Sequence, residues 1–214
     1  MARTRSQDYD SIKQAILQAA AKLFAEKSFD ATSINEIAET AGLSKAGIYH
    51  YFESKTEILR SMLTEHLESV TEIVDTALNT SDAPRDKFLV LTRLLIENYT
   101  RPSSRNQHSV LVNDIGCLPP KDREFIVATE RRIIRATERL LLSLFPQLSE
   151  HHDYLQPITM LYFGMINWTD TWFSDKGRLA PKELATLAAE LILNGIANTD
   201  YATIRREAPE SSRQ

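Results

Sequence analysis

Apolar residues recur at every third or fourth position along most of this chain, and the strict alternation that predicts β-strands is nearly absent. This spacing predicts amphipathic α-helices over residues 10–26, 54–78, 84–101, 121–145, 152–175 and 181–197, with two short helices between residues 33 and 52. Residues 79–84 carry turn chemistry, and residues 101–120 are predicted as a short irregular or helical piece that breaks at the sequence CLPP. The sequence therefore predicts an all-α fold.

Residues 32–57, TSINEIAETAGLSKAGIYHYFESKTE, carry several signals for helix ends. Ser33 and Glu36 have the spacing of a capping box, in which the hydroxyl accepts one backbone N–H and the carboxylate another. Gly42 supplies the left-handed residue that ends the first short helix. Ala38, four residues earlier, leaves room for a crossing helix because its side chain stops at Cβ.

Two further caps mark the starts of the helices that follow this turn. Ser44 is placed to cap the second short helix, and Ser54 with Glu57 reads as a second capping box, which predicts that a third helix begins there. Two short helices that cross closely bury one side together and present the second helix outward. Residues 33–52 are therefore predicted to be a helix-turn-helix motif that lays its second helix in the DNA major groove.

The outward face of this motif carries no carboxylate, since none occurs between residues 40 and 52. Lysine, tyrosine and histidine suit phosphate oxygens, small residues let a helix approach base edges, and hydroxyls at a helix N-terminus add phosphate contacts. The candidate DNA-contacting residues are Thr32, Ser33, Ser44, Lys45, Ala46, Gly47, Tyr49, His50 and Lys55. The alternative is an ordinary helical hairpin whose tyrosine and histidine pack in a core.

The block AGLSKAGIYHYFESKTEIL, preceded by KQAILQAAAKLFAEKSFDATSINEIAE, resembles the DNA-binding domain of TetR-family transcriptional regulators. The resemblance covers about residues 10–65 in near-continuous register, and it implies that the same nine candidate residues line the DNA face. It departs at Ser28, where the family usually has a glycine after its first helix. A serine in the left-handed conformation costs about 1 kcal/mol, so either Ser28 accepts that cost or the helix ends differently.

Net charge does not by itself indicate a nucleic-acid partner. The chain carries a formal charge of −4, and through residue 60 the eight Lys and Arg residues are balanced by eight Asp and Glu residues. The DNA-binding prediction therefore rests on local placement. Arg3 and Arg5 form a small basic arm, which either reaches a phosphate or the minor groove or is simply disordered.

Other whole-chain features predict a soluble protein of a reducing compartment, the cytoplasm. The single cysteine, Cys117, allows no intramolecular disulfide. The N-terminus has no apolar run typical of a signal peptide. The most apolar stretch, residues 155–173, is interrupted by polar side chains, which indicates a buried helix and no membrane partner.

The chain divides by pattern into three parts. Residues 1–57 are predicted as an N-terminal arm and helix-turn-helix DNA-binding domain, residues 58–198 as a larger helical bundle for effector binding and dimerisation, and residues 199–214 as a polar tail.

The two C-terminal helices predict a homodimer. The helix over residues 155–173 is apolar nearly all round and needs partners on both sides. A two-fold contact through it and the last helix buries both faces, and a DNA-reading helix usually binds two half-sites about 34 Å apart. The candidate interface residues are Leu184, Leu187, Ala188, Leu191 and Ile192. The alternative is an oversized monomer core; the family resemblance implies the dimer.

Polar groups among aromatic residues near position 167 suit a ligand pocket with apolar walls and a few polar anchors. The candidate ligand-binding residues are Tyr162, Asn167, Trp168 and Asp170. The alternative is that each polar group is satisfied by a neighbouring helix or lies at the dimer contact. The family resemblance implies an effector pocket in this domain, usually for a small hydrophobic molecule.

The C-terminal sequence INWTDTWFSDKGRLAPKELATLAAELILNGI further resembles regulators of fatty-acid, steroid or aromatic-acid breakdown, which often respond to acyl-CoA thioesters. A run of arginines is available for CoA phosphates: Arg123, Arg131, Arg132, Arg135 and Arg139. Pairing of these arginines with Glu130 and Glu138 on a solvated helix face is the alternative explanation.

Together these features predict a ligand-responsive DNA-binding regulator, by family default a repressor of palindromic operator DNA. Effector binding is expected to shift the helix that begins at Ser54 and to swing the DNA-reading units, which weakens DNA binding. An acyl-CoA effector is favoured; the alternative is a multidrug or efflux-type regulator of a free hydrophobic compound. An enzyme and a scaffold that no longer binds DNA are remote alternatives. Neither HExxH nor a Cys/His array occurs, so no metal and no cofactor are predicted.

Overall fold

The chain forms α-helices joined by short turns, and no strand occurs in the part of it that the computed structural model describes. That part is residues 2–174, 176–201 and 203–204; residues 2–7 and Asp170 are described by their backbone alone. The α-helices are α1 (Ala2–Lys27), α2 (Ile34–Thr40), α3 (Lys45–Tyr49), α4 (Lys55–Leu78), α5 (Pro84–Tyr99), α6 (Pro102–Asp114), α7 (Pro120–Leu144), α8 (His152–Asn167), α9 (Thr169–Trp172) and α10 (Pro181–Asn198). The predicted all-α fold is confirmed.

Helices α1 to α3 form a small N-terminal unit around a shared apolar core. Ile16 and Phe24 of α1, Ile37 of α2 and Ile48 of α3 are all almost completely buried. The β-carbon of Ala38 is also buried, where α2 crosses its neighbours. The predicted close crossing of two short helices is therefore present, with α3 on the outside of the unit.

Helices α4 to α10 form the larger bundle, and two of them also reach the N-terminal unit. α4 packs against α5, α6 and α7, and α10 packs chiefly against α5. Both α4 and α6 contact α1. Movement within the bundle can therefore be passed to the DNA-reading unit by either of two helices.

Two helix predictions are wrong in extent, and one open alternative is decided. α1 begins at Ala2, because residues before position 10 carry too few apolar side chains for periodicity to register. Of the two alternatives for residues 101–120, the helical one is present: α6 begins with Pro102 in its first turn, and the chain breaks before α7 at the CLPP sequence as predicted. The helix predicted over residues 152–175 ends at Asn167, and α9 is a separate short turn of helix after Trp168.

The end of α1 resolves the alternative at Ser28. This residue has φ of 77°, in the left-handed region, and its N–H donates to the carbonyl oxygen of Phe24 at 2.8 Å. Its side chain is exposed. Ser28 thus takes the strained conformation that a glycine adopts at no steric cost, and the helix ends where the family pattern ends it.

The cap of α2 is a complete capping box. The Glu36 N–H donates to Ser33 Oγ at 3.2 Å, and the Ser33 N–H donates to Glu36 Oε2 at 2.8 Å. Lys27 also donates to Glu36 Oε1 at 2.7 Å. The Lys27 ammonium and then the Ser33 cap lower the pKa of Glu36 to about 2.

The second predicted capping box is only half formed. The Glu57 N–H donates to Ser54 Oγ at 3.1 Å, as predicted. The Glu57 carboxylate accepts the N–H of Glu53 at 2.6 Å, one residue before the cap, so the reciprocal arm of the box is missing. α4 still begins where the serine predicted.

Several predictions fall outside the described residues. These are the side chains of Arg3, Arg5 and Asp170, and residues 205–214 of the predicted polar tail. Within the described ranges, no helix has the length and apolar character needed to cross a membrane.

Candidate functional site

Helix α3 is short, and its two ends and one buried residue fix its position. Ser44 caps it by accepting the Gly47 N–H at 3.1 Å. Gly42, with φ of 69°, turns the chain before it. Ile48 is completely buried and anchors the inner side of α3 in the unit. The opposite side therefore has one defined orientation towards solvent.

That outer side gathers most of the predicted DNA-contacting residues. Gly47 is partly covered, and an added Cβ would meet Ser44 Oγ at 3.4 Å and Leu43 Cβ at 3.6 Å, which are ordinary contacts. The exposed members of the predicted set are Ser33, Ser44, Lys45, Ala46, Tyr49 and His50. These residues form a surface that carries one lysine and to which α3 contributes no carboxylate. The side chains at its centre are small, and those at its edges are polar.

An aromatic contact that the sequence reading missed ties α1 to this surface. The Tyr9 ring lies 4.7 Å from the ring of Tyr51 and 6.5 Å from that of His50, measured between centroids. His50 and Tyr51 are themselves edge to face at 5.2 Å. Tyr9 thus supports the residues that follow α3, and nothing in the local pattern before position 10 could have indicated this.

A cavity of about 100 Å³ lies within the larger bundle, between α4, α6, α7 and α8. Its wall is apolar except for a few polar groups, among them His108 of α6, Glu130 of α7 and Asn167 at the end of α8. The other residues of the wall are Leu67, Val70, Tyr99, Leu111, Ile133, Ile134, Met160 and Phe163. Apolar walls with few polar anchors are typical of small-molecule sites.

The polar side of this cavity is an aromatic cluster at the meeting of α4, α5 and α6. The ring of His108 lies 4.7 Å from that of Tyr99 and 5.7 Å from that of His66. Burial lowers the pKa of His66 to about 3 and that of His108 to about 4, so both rings are neutral at pH 7. Burial also raises the pKa of the Glu130 carboxyl.

Comparison with known families decides the identity of this arrangement. Residues 16–62 match the bacterial regulatory proteins of the tetR family, and residues 81–196, more than half of the chain, match the tetracyclin repressor-like C-terminal domain. The chain belongs to the TetR family. The resemblance inferred from residues 10–65 is confirmed, and it extends through the bundle.

Individual TetR-family relatives match over nearly the whole chain. A TetR-family transcriptional regulator from Bordetella parapertussis 12822 is 36% identical with a TM-score of 0.81, over 88% of this chain and 97% of that one. The HTH-type transcriptional repressor KstR2 of Mycolicibacterium smegmatis is 23% identical over 88% of this chain and 92% of its own. AibR, crystallised in complex with isovaleryl coenzyme A and operator DNA, shares the fold at 24% identity and a TM-score of 0.71, over 84% of this chain and 97% of its own.

Two residues predicted for the TetR DNA face point elsewhere. Thr32 is only 2% exposed, and its hydroxyl donates to the carbonyl oxygen of Ser28 at 2.8 Å. Lys55 is half-buried, and its Nζ donates to the carbonyl oxygens of Phe29 and Thr32. The prediction that the Thr32 hydroxyl reaches a phosphate is therefore corrected: it closes the turn after α1. Lys55 uses two of its three donors inside the unit.

The predicted ligand-binding residues are mostly not in the cavity. Tyr162 is completely buried in the core, where its hydroxyl lies 3.0 Å from Thr92 Oγ1 and its ring packs on Phe88. Trp168 is 66% exposed on the surface, beyond the end of α8. Asn167 does line the cavity. Both side chains lie away from the cavity: Tyr162 packs inward on α5, and Trp168 follows the end of α8 at Asn167.

The predicted dimer residues divide between two faces of α10. Leu184 and Ala188 are buried against the protomer's own core, so they are corrected to internal packing residues. Leu187 and Leu191 are largely exposed, and Ile192 is half-buried. Leu191 and Ile192 share a shallow apolar groove with Leu161 of α8.

The arginine run on α7 is exposed, and the described residues contain no salt bridge to any of its members. The alternative of pairing with Glu130 and Glu138 is therefore not seen in this structure. The side of α7 that faces α4 meets an acidic groove lined by Glu65, Glu68 and Glu72, among others. Arg132 of the same run lines this groove too, whereas Arg131 and Arg135 do not.

Proposed function

We propose that this chain is a homodimeric transcriptional repressor that binds palindromic operator DNA through α3 and releases it when an acyl-CoA thioester occupies the cavity in its bundle. The DNA-binding part of this proposal rests on one observation, the composition of the outer face of α3. Ile48 anchors the helix from inside, and Lys45, Ala46 and Tyr49 are exposed on the other side without a carboxylate among them. A surface of this composition fits the major groove.

The proposed contacts follow from side-chain chemistry. Lys45, Tyr49 and His50 bind phosphate oxygens at the edge of the surface, and the small residues Ala46 and Gly47 let the helix backbone approach base edges. The hydroxyls of Ser33 and Ser44 sit at the N-termini of α2 and α3, where free N–H groups favour anions. Thr32 and Lys55 act indirectly, by holding the turn that positions α2.

The proposed dimer forms through the exposed apolar faces of α8 and α10. Leu161, Leu187 and Leu191 are all exposed there. Apart from the neighbouring residues and backbone of its own helix, no atom of the described residues lies within 4 Å of a Cβ added at Gly164 or at Gly195, so each leaves room for close approach of a partner helix. A two-fold contact through this face supplies the two copies of α3 that two half-sites require.

The proposed domain division places DNA binding in residues 1–57, effector binding and dimerisation in residues 58–198, and a polar tail in residues 199–214. α4 (Lys55–Leu78) crosses the first of these boundaries. Because α4 and α6 both line the cavity and both contact α1, a ligand that separates them shifts the DNA-reading unit. The coupling needed for a 5- to 150-fold loss of affinity is about 1–3 kcal/mol.

Three observations support an acyl-CoA effector. The structural relative AibR was solved with isovaleryl coenzyme A and operator DNA. The cavity wall is apolar with a few polar groups. Arg131 and Arg135 on α7 are exposed and form no salt bridge among the described residues, which leaves their guanidinium groups available for phosphates.

The proposed regulator acts in the cytoplasm, catalyses no reaction and requires no cofactor. Its full-length relatives are transcriptional regulators. In the described part of the chain, no three His, Cys, Asp or Glu side chains group as a metal site needs.

Fluorescence anisotropy on the purified full-length protein tests the proposal. The DNA is a labelled fragment from upstream of the protein's own gene, with a scrambled fragment as control. We expect specific binding that weakens by 5- to 150-fold with acyl-CoA and remains unchanged with CoA alone. Release by a lipophilic compound without CoA, and by no thioester, would instead assign the efflux-type alternative. Absence of specific DNA binding at any tested site would contradict the whole proposal.

A further inference from the structure

Two polar atoms in the cavity wall have no hydrogen-bond partner among the described residues. They are Nδ1 of His108 and Oδ1 of Asn167, and both are inaccessible to solvent. Buried polar atoms in folded proteins are almost always paired, because an unpaired one loses its hydration without compensation. Two such atoms beside one cavity indicate a partner that comes from outside the chain.

The two atoms differ in depth. His108 is 6% exposed, and its ring is held between Tyr99 and His66. Asn167 is only half-buried, at the last residue of α8. A ligand that meets both therefore carries two polar groups along its length, one deep in the bundle and one nearer the surface.

The charge state of the wall selects against an anion. Burial lowers the pKa of His108 to about 4, so its ring is neutral at pH 7, and burial raises the pKa of the Glu130 carboxyl. Among the residues that the structure describes, no lysine or arginine lines the cavity. A free carboxylate would lose its hydration there without gaining a cation, whereas a thioester or an amide is uncharged.

The size of the cavity limits the apolar part of the ligand. Its volume is about 100 Å³. A cavity of roughly 150 Å³ accommodates benzene, with six carbon atoms, so this one accommodates about four. Leu111, Ile133 and Phe163 close its sides, and lengthening the apolar group requires these side chains to move.

We propose that the cavity binds a short acyl group of about four carbon atoms, with His108 donating its ring N–H to the thioester carbonyl oxygen and Asn167 accepting the nearest amide N–H of the pantetheine arm. This inference rests on the proposed acyl-CoA function and specifies the chain length and the polar contacts. The pantetheine arm then leaves the cavity past Asn167, towards the surface where CoA phosphates are hydrated.

Isothermal titration of the full-length protein with straight-chain acyl-CoAs of two to twelve carbons tests the length. We expect the tightest binding at about four carbons and at least tenfold weaker binding at ten or more. Butyrate and CoA are each expected to bind at least tenfold more weakly than butyryl-CoA. Tightest binding of a long chain, or of free butyrate, would overturn the inference while leaving an acyl-responsive repressor in place.

The polar contacts are tested with His108→Leu and Asn167→Leu. Each removes an unpaired buried atom, so we expect the ligand-free melting temperature to stay equal or rise. We also expect at least tenfold weaker binding of butyryl-CoA. Purely structural roles predict the reverse pattern: a lower melting temperature with unchanged binding. His152→Leu and Asn113→Leu are matched controls at exposed positions, where neither quantity should change.

The role of the cavity wall in setting the chain length is tested with variants that enlarge the cavity. Leu111→Ala removes three carbon atoms from a buried position, and Ile134→Ala is a milder second variant at a half-buried position if the first fails to fold. Either should move the preferred chain length upward by about two carbons. An unchanged preference in the folded variants would overturn the assignment of the cavity. If no acyl-CoA of any length binds or releases DNA, the proposed effector class itself fails.

Discussion

The Lys55 side chain is bonded to the backbone of Thr32: its Nζ lies 2.8 Å from the Thr32 carbonyl oxygen. The same ammonium lies 2.7 Å from the carbonyl oxygen of Phe29 and 4.3 Å from the centroid of the Phe29 ring. The first residue of α4 is thereby fastened to the turn between α1 and α2. Lys55 connects the bundle to the DNA-reading unit by direct hydrogen bonds.

Replacing Lys55 with methionine should lower the free energy of unfolding by about 2 kcal/mol, because hydrogen bonds from a charged donor contribute about 1.5–3 kcal/mol. Urea denaturation followed by circular dichroism measures this. Lys45→Met is the matched control on the exposed face of α3. It should change stability by less than about 0.5 kcal/mol while weakening operator binding. Equal stability of the two variants would mean that the hydrogen bonds from Lys55 to the turn between α1 and α2 do not stabilise the protein.

Ser28→Gly should stabilise the protein. Ser28 has φ of 77° with an exposed side chain, so glycine relieves backbone strain and loses no packing contact. The expected gain is about 1 kcal/mol, or a rise in Tm of about 2–4 °C by calorimetry. Ser28→Ala keeps the Cβ and should give no gain. A lower Tm for Ser28→Gly would contradict backbone strain at Ser28.

The buried histidines should make stability fall as the solution becomes more acidic. Burial lowers the pKa of His66 to about 3 and that of His108 to about 4, below the ordinary value of 6.5. The unfolded chain therefore binds more protons, so this contribution is full above about pH 6.5 and is lost as pH falls towards 4. Each histidine contributes a slope of up to about 1.4 kcal/mol per pH unit.

Urea titrations at several pH values measure that slope. His108→Leu should reduce this slope by the contribution of one histidine. A slope identical with and without His108 would mean that His108 is not held neutral by burial.

Leu191→Glu should dissociate the proposed dimer without unfolding the protomer. Leu191 is 60% exposed, so a carboxylate there stays hydrated in the monomer but would be buried in the dimer. We expect the dimer Kd to rise at least tenfold, which is about 1.4 kcal/mol, in sedimentation equilibrium. Thr186→Glu, on the opposite side of α10, is the control. An unchanged Kd for Leu191→Glu would place the interface elsewhere.

Features set by neighbouring residues were predictable from the sequence. The Ser33–Glu36 capping box and the left-handed Gly42 depend on chain distances of a few residues, and both are present. The Ser54–Glu57 box failed in one arm because Glu53 offers a competing N–H next to the cap. A local pattern identifies the possible donors and acceptors, but it does not show which of two adjacent N–H groups a carboxylate will accept.

Contacts between distant residues were not predictable in the same way. The sequence gives no sign that Tyr9 packs on Tyr51, or that Thr32 is buried beneath the start of α4. One signal was available and missed: His66 occupies an apolar stripe between Met62 and Val70, at a spacing of four residues. A histidine in such a stripe indicates either a partner or a ligand, and here it lies behind His108 at the cavity.

The central claim, that the outer face of α3 reads DNA, is tested most directly by the operator affinity of Gly47→Ala. The added Cβ makes only ordinary contacts within the chain, so stability should be unchanged or higher by up to about 1 kcal/mol. On DNA the same methyl group would hold α3 away from the base edges. We predict at least a tenfold higher operator Kd by fluorescence anisotropy; an unchanged Kd in the folded variant would contradict the claim.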